Sequence, residues 1–506
     1  MNMSLINPAY LAWSLLVLAL FCHLPKSRAL LIAFVGGMLF LPVVHMHPTQ
    51  AGMPPPLRLE SLVSLSKENV IVLCPLIAAL LFDAQRLFAF RFRWFDLPMP
   101  AWCLCSLLSN YLADESLNNL YGQLRDHTLL WGVPYFLGRV YLDSLAAFRE
   151  AVLAVVIGAL VYMPFCLFEI VMQPTLHWRL YGYFQHDPGQ TLRWGGHRPI
   201  VFMEHGLALS LWLVAAALMA IWLWQSGTFR WQARRRSAPL YWAWSTPALA
   251  ILAALTRSTG ALLLGITGLA ALYSTRWLRT PLALLLLAAV PAVYMAERIS
   301  GDWNGADLVS WLKANVDPGR AQSVQFRFAN ENLLIKKTLQ RPWFGWGDTG
   351  HLLETGRKKR SDKLPIPDGL WILTFGAYGF VGLAAWQAMV LVPPAMFAWR
   401  YPATRWSAPE LAPLAVVAVF LPLYSIDCLM NGMINPFYIV LLGGLASAAS
   451  IDSSVTPTER RPSLHWQRVA AGDASPPHRR TSSGDSRTGR PSFRETEQCP
   501  TRPASL

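Results

Sequence analysis

Long apolar runs separated by short polar stretches dominate this chain. They lie near residues 8–22, 29–45, 68–83, 97–113, 128–142, 150–172, 199–224, 240–256, 260–274, 281–296, 367–392, 411–427 and 433–450. Each approaches the length needed to cross a hydrocarbon core of about 30 Å. Every backbone amide in lipid must be satisfied within its own segment, so such runs must be helices. Strand-period alternation is absent, which argues against a barrel. The pattern predicts an all-α, polytopic transmembrane helix bundle of about 12–13 spans over residues 1–450, with no fixed-period repeat. The segment 451–506 lacks apolar periodicity and is rich in Ser, Pro and Arg, which reads as a disordered basic cytoplasmic tail.

Basic residues set the expected orientation. The connections "DAQRLFAFRFRWFD" (83–96), "RWQARRRS" (230–237), "STRWLRT" (274–280) and "AWRYPATRW" (398–406) all fall on one side, which the positive-inside rule makes cytoplasmic. The first helix carries its positive charge only after its apolar run. It therefore reads as uncleaved, with the N-terminus outside. Three substantial loops then lie on the outer side, roughly 46–67, 173–198 and 297–366. In the last, "RAQSVQFRFANENLLIKKTLQRP" (320–342) places Val324, Phe328, Leu333, Ile335 and Leu339 at mostly helical spacings. This predicts a helix along the membrane surface, ended by Pro342 and followed by the turn "PWFGWGDTG" (342–350).

Composition agrees with this picture. The 506 residues are 54% hydrophobic and 14% charged, with a mean hydropathy of +0.33; a soluble domain is nearer a quarter charged. The net charge of +14 resides mainly in short loops and the tail, with no aromatic-rich soluble module, so it reads as a topology signal and not as a nucleic-acid surface. Six of the cysteines, Cys22, Cys74, Cys103, Cys105, Cys166 and Cys428, lie in or beside apolar runs, and Cys499 is in the tail. They read as small buried hydrophobes, and no metal site is expected.

Ionisable residues in or beside spans are costly, so their placement is informative. Glu169, Arg198, Glu204, His205, Arg257, Asp368 and Asp427 all fall near predicted outer ends. Each has a plain structural alternative. Arg198 can snorkel to headgroups, Arg257 can be an ordinary interfacial arginine in a break between helices, and Asp368 can cap the helix that follows it. His205 and His351 can be ordinary interfacial or loop histidines. Glu204 and His205 are neighbours and point about 100° apart on a helix. The functional reading rests on their convergence on one face.

The turn "GWGDTG" lacks the Gly-Lys-Ser/Thr ending of a P-loop and follows no strand, which argues against nucleotide binding. Trp343 and Trp346 read as headgroup-level anchors. The run "GRKKRSDK" (356–363) places five basic residues on the outer side. It suits an anionic lipid or a lipid pyrophosphate, or is a solvated charge run.

Three stretches together resemble the O-antigen ligase and polymerase superfamily of bacterial surface-polysaccharide assembly, over roughly residues 125–395. They are "HRPIVFMEHGLAL", "LTRSTGALLLGITGL", and "FRFANENLLIKKTLQRPWFGWGDTG" followed by "DGLWILTFGAYGFVGLAAW". The resemblance implies a multi-pass protein of the bacterial inner membrane with a long periplasmic loop. It implies an inverting, metal-independent glycosyltransferase without a cofactor, taking glycan from a polyprenyl-pyrophosphate donor to a glycan or lipid acceptor, beside membrane lipids and other assembly proteins. Arg198 and Arg257 match the family's outer-face arginines and would hold the pyrophosphate, with Glu204, His205, Arg327 and Asp427 as possible supports. The ligases carry a histidine shortly before the helix after the long loop; here that place reads Pro367-Asp368-Gly369. Asp368 takes the base role, His351 reaches in from the loop, or the chain is a non-catalytic component of the machinery. A transporter of the lipid-linked sugar is the further alternative.

Overall fold

The computed structural model describes residues 5–44, 58–59, 63–64, 66–229, 240–316, 318–347 and 368–450. Eighteen helices run through these residues: α1 (Ile6–His23), α2 (Lys26–Phe40), α3 (Lys67–Phe82), α4 (Ala84–Phe88), α5 (Pro98–Leu112), α6 (Leu117–His127), α7 (Val133–Tyr141), α8 (Leu145–Met172), α9 (Leu176–Tyr181), α10 (Gly206–Gln225), α11 (Leu240–Leu255), α12 (Thr259–Leu278), α13 (Leu282–Ser300), α14 (Ala306–Asn315), α15 (Pro318–Thr338), α16 (Leu370–Arg400), α17 (Ala412–Met430) and α18 (Pro436–Ala449). Two short antiparallel ribbons, β1 (Arg58–Leu59) with β2 (Val63–Ser64) and β3 (Leu192–Arg193) with β4 (Gly196–His197), are the only strands among the described residues. The protein is an all-α polytopic helix bundle.

Each apolar run of the sequence overlaps a helix, but the helices differ in length. Seven of them, α1, α8, α10, α12, α13, α16 and α17, are long and apolar enough to cross a membrane. Others stop short of the expected span: α2 and α5 have 15 residues and α3 has 16. At 1.5 Å per residue, 15 residues rise only about 22 Å. The count of full-length spans is thus seven among the described residues, against the 12–13 expected from apolar runs. Local chemistry sets some of these limits. Ser66 caps α3 by accepting the Asn69 N–H, and a π-helical turn over Thr128–Gly132 joins α6 to α7.

Close packing fixes the middle of the bundle. Gly138 of α7 lies against the Val440 backbone of α18, and Gly443 of α18 against the Tyr135 backbone of α7. A methyl group at either position would collide with main chain, so two small residues let the helices approach. At the end of the bundle where α7 stops and α8 starts, buried Arg139 holds both oxygens of Asp96, at 2.7 and 3.1 Å, and donates to Ser447 at 2.6 Å. Tyr135 completes the carboxylate's shell at 2.8 Å. Every charge in this network is paired, and its role is to clamp.

The opposite end holds the long-loop elements. The amphipathic α15, expected over 320–342, spans 318–338 and ends short of Pro342. Its Glu331 pairs with Arg298 of α13 at 3.0 Å and accepts from Tyr294 at 2.9 Å and from the Trp371 indole at 3.1 Å. Both charges are buried, so α15 is docked on the bundle.

Beyond α15 the turn pairs with a broken helix. Helix α16 leaves helical geometry at Gly379 (φ 61°, ψ −158°). The freed groups bond to the turn: Phe380 N–H to Pro342 O at 2.8 Å, Val381 N–H to Trp343 O at 3.1 Å, Trp346 N–H to Gly376 O at 3.0 Å, and Gly347 N–H to Ala377 O at 2.9 Å. Gly345 and Gly347 adopt positive φ here, a conformation only glycine enters freely. Trp346 gives its indole N–H to Lys337 O at 3.0 Å, and the Lys337 and Arg341 cations both lie against its ring. Its polar edge is used within the protein, whereas Trp343 is 65% exposed.

A candidate anion site at one end of the bundle

The residues 199–205, expected as the first turns of a helix, form an irregular turn instead, and α10 begins only at Gly206. The reason is Glu169 near the end of α8. Its buried carboxylate accepts the backbone N–H groups of Ile200 and Val201 at 2.8 and 2.7 Å, and of Leu176 at 3.1 Å. Val201 is held at φ 58°, unusual for a β-branched residue. Three N–H donors on one carboxylate outweigh the first turn of helix that these residues would otherwise make.

This turn positions Arg198. The residue is 7% exposed, and its side chain lies across Gly206 at the start of α10. Its Nη2 donates to the Arg257 carbonyl at 3.4 Å. Arg198 therefore does not reach out to headgroups. Arg257 sits in the break between α11 and α12 with φ 56°, and its Nη1 donates to the carbonyls of Arg193 and Trp194 at 2.9 and 2.8 Å. Those carbonyls belong to the β3–β4 hairpin, whose Trp194 and Gly195 both have positive φ, the geometry of a type I′ turn.

His205 caps α10. Its Nδ1 accepts the Leu207 N–H at 2.8 Å, so the neutral ring carries its proton on Nε2. Its pKa is pushed down to about 3 by burial, then by His186, Arg198, Arg193 and Arg327. The His186 and His205 rings are 4.2 Å apart. His205 is thus an Nε2–H donor with its other nitrogen occupied, a poor general base.

Arg327 comes in from α15 and donates to Asp368 at 2.8 Å. The helix cap reading of Asp368 does not hold: the N-cap of α16 is Gly369, and no side chain caps it. The Arg327 charge also acts on Asp427 near the end of α17, whose Oδ1 accepts from Asn431 at 2.8 Å. A small recess beside this pair is lined by Arg327, Asn330, Glu331, Asp368 and Leu429. Buried Asn330 leaves its Nδ2 without a partner there, among the described residues.

Arg193, Arg198, Arg257 and Arg327 thus reach one end of the bundle from three separate segments, together with neutral His205 and the acids Asp368 and Asp427. Helices α10, α12 and α16 all begin here, and α12 and α16 carry no side-chain cap. Their positive dipole ends add to an excess of cationic charge. Forked guanidinium donors around helix starts suit a phosphate-type anion. Glu204, though next to His205, is exposed and faces a different cavity with Lys67. His351 lies outside the described residues. No group of three or more His, Cys, Asp or Glu side chains among the described residues could hold a metal ion.

Sequence reading alone missed Arg193, His186 and Asn330. The Trp-Gly-Gly of the hairpin was the available signal for Arg193; nothing in the local pattern singles out the other two. No protein-family model matches the chain, and no curated protein matches it.

Proposed function

We propose that this protein is a membrane glycosyltransferase of the O-antigen ligase or polymerase type. It works at the outer face of a bacterial inner membrane and takes glycan from a polyprenyl-pyrophosphate donor. The observation that carries the reading is the meeting of Arg193, Arg198, Arg257 and Arg327 at one end of the bundle. An acceptor hydroxyl attacks the anomeric carbon, the bond to the pyrophosphate oxygen breaks, and the configuration inverts. Negative charge grows on the departing pyrophosphate, where fixed guanidinium groups and helix dipoles are most effective. The His205 Nε2–H offers a further donor.

The hydroxyl proton goes to Asp368. Its partner Arg327 holds it in place at 2.8 Å, and an incoming pyrophosphate competes for that guanidinium and frees a carboxylate oxygen. Asn330 stands beside the pair to orient the attacking hydroxyl.

The test is a clean gene deletion in the native host, with sizing of the surface glycan and extraction of lipid-linked intermediates. Single repeat units in place of long chains identify a polymerase. Full-length polymer left on its lipid carrier identifies a ligase. An unchanged profile on both counts removes the enzyme reading.

One observation favours a second reading, a transporter of the lipid-linked sugar. Helix α16 is discontinuous at Gly379, and broken helices are a feature of transporters. Movement of lipid-linked glycan across proteoliposomes without formation of a glycosidic bond distinguishes the two.

A further inference from the structure

An apolar groove of about 470 Å³ lies between α5 and α7, within the range of about 300–1,000 Å³ typical of ligand sites. Met99 and Leu104 of α5, Gly132 of the π turn and Phe136 of α7 wall it, and Phe90 and Phe92 from the segment before α5 complete it. Asp96 and Tyr135 also border it, but their polar atoms are taken up by each other and by Arg139. Water finds few partners on such a wall, so an apolar occupant suits it.

The segment that carries Phe90 and Phe92 is fixed by the Arg139–Asp96 clamp. Asp96 Oδ2 accepts the Arg93 N–H at 2.8 Å, and the Arg139 guanidinium lies over the Phe90 and Phe95 rings. Phe92 lines the groove and is also 54% exposed, which puts its neighbours Arg91 and Arg93 beside the mouth. Both arginines are exposed, and among the described residues no acid pairs with either. Asp96 and Asp143 are already engaged, by Arg139 and by Arg86. Phe88 and Trp94 of the same stretch are more than half exposed. Arginines interleaved with exposed aromatics are the composition of headgroup depth, and a forked guanidinium suits a phosphate.

The two features restrict the occupant. An apolar helix would fill the groove and leave both arginines unpaired, and a soluble anion would pair the arginines and leave the groove bare. A molecule with an anionic phosphate head and a hydrocarbon chain satisfies both. We infer that the groove holds one acyl chain of an anionic glycerophospholipid of the bilayer, with its phosphate on Arg91 and Arg93. The inference is independent of the glycosyltransferase reading, since it concerns different side chains and no reaction.

The test uses the full chain, stripped of lipid in detergent and offered equal amounts of phosphatidylglycerol and phosphatidylcholine with matched acyl chains. Phosphatidylcholine carries the same phosphate but cancels its charge with an ammonium. Native mass spectrometry counts the lipids retained. Phosphatidylglycerol is expected to be retained about ten-fold over phosphatidylcholine, as two exposed ion pairs of a few-fold each would give. The Arg91→Gln/Arg93→Gln double variant should lose that preference while melting like the wild type, because both side chains are exposed. Leu104→Trp places an indole at an exposed position on the groove wall; it should also melt normally and retain several-fold less phosphatidylglycerol. Equal retention of the two lipids, or an undiminished preference in the double glutamine variant, overturns the assignment. Unchanged retention by Leu104→Trp would leave a surface contact without the groove and overturns it too. So does displacement of phosphatidylglycerol by an equal amount of a polyprenyl phosphate, which would make the groove a site for a carrier lipid.

Discussion

The guanidinium of Arg327 donates to the carboxylate of Asp368 at 2.8 Å, joining the amphipathic helix of the long loop to the start of α16. The pair is only partly exposed, at 25% and 36% for the two side chains. An ion pair of this exposure contributes on the order of 1 kcal/mol or less to stability. Asp368→Asn is therefore expected to melt close to the wild type yet lose glycan transfer, because the amide cannot take the hydroxyl proton. Complementation of a deletion strain together with a melting curve checks this. Transfer at the wild-type rate by Asp368→Asn would remove Asp368 as the base.

Gly206→Ala is a steric probe of Arg198. The added methyl group would meet the buried Arg198 side chain at Cγ and Cδ, so the arginine must shift to make room. The variant should still insert and fold, at some cost in stability, while losing activity by about ten-fold or more, since Arg198 no longer lies over the start of α10. Unchanged activity would mean that the position of Arg198 is unimportant.

Protonation of His205 should weaken the fold in acid. Its folded pKa is lowered to about 3, against an ordinary value near 6.5, so between these values the unfolded chain binds more protons. Stability then rises with pH across that window and is level above it, with a slope of at most about 1.4 kcal/mol per pH unit from this group. Melting curves between pH 4 and 7 should show a shallower slope for His205→Asn, which retains a capping side chain without the titration. Equal slopes would show that His205 does not titrate in this way.

Gly379→Ala tests the interlock of turn and broken helix. The position has φ 61°, and an added methyl group would meet the Pro342 and Trp343 backbone. Main chain cannot step aside as an arginine side chain can, so a loss of about 2 kcal/mol or more is expected. A melting temperature within error of the wild type would contradict the pairing.

The helical architecture was legible because apolar runs bounded by basic connections are a direct consequence of lipid as solvent. Span length was less legible, because hydropathy does not register a cap such as Ser66 or the π turn after His127. The start of α10 was misplaced for a specific reason. "PIVFM" is apolar enough to read as helix, but Glu169, thirty-odd residues upstream, takes its N–H groups. A contact at that separation leaves no local trace. Arg198, Arg257 and Asp368 were individually visible, yet a plain alternative existed for each. Burial of Arg198 and the start of α16 at Gly369 without a side-chain cap remove two of those alternatives, and neither is contained in a linear pattern.

The central claim is that the arginine cluster binds the pyrophosphate of a lipid-linked glycan. The most direct measurement returns Arg198→Ala and Arg257→Ala, separately, to a deletion strain and compares surface glycan, lipid-linked intermediates and membrane protein levels. The account predicts normal insertion and level for both variants, loss of long surface glycan, and accumulation of the lipid-linked donor. Normal surface glycan from both variants would contradict it.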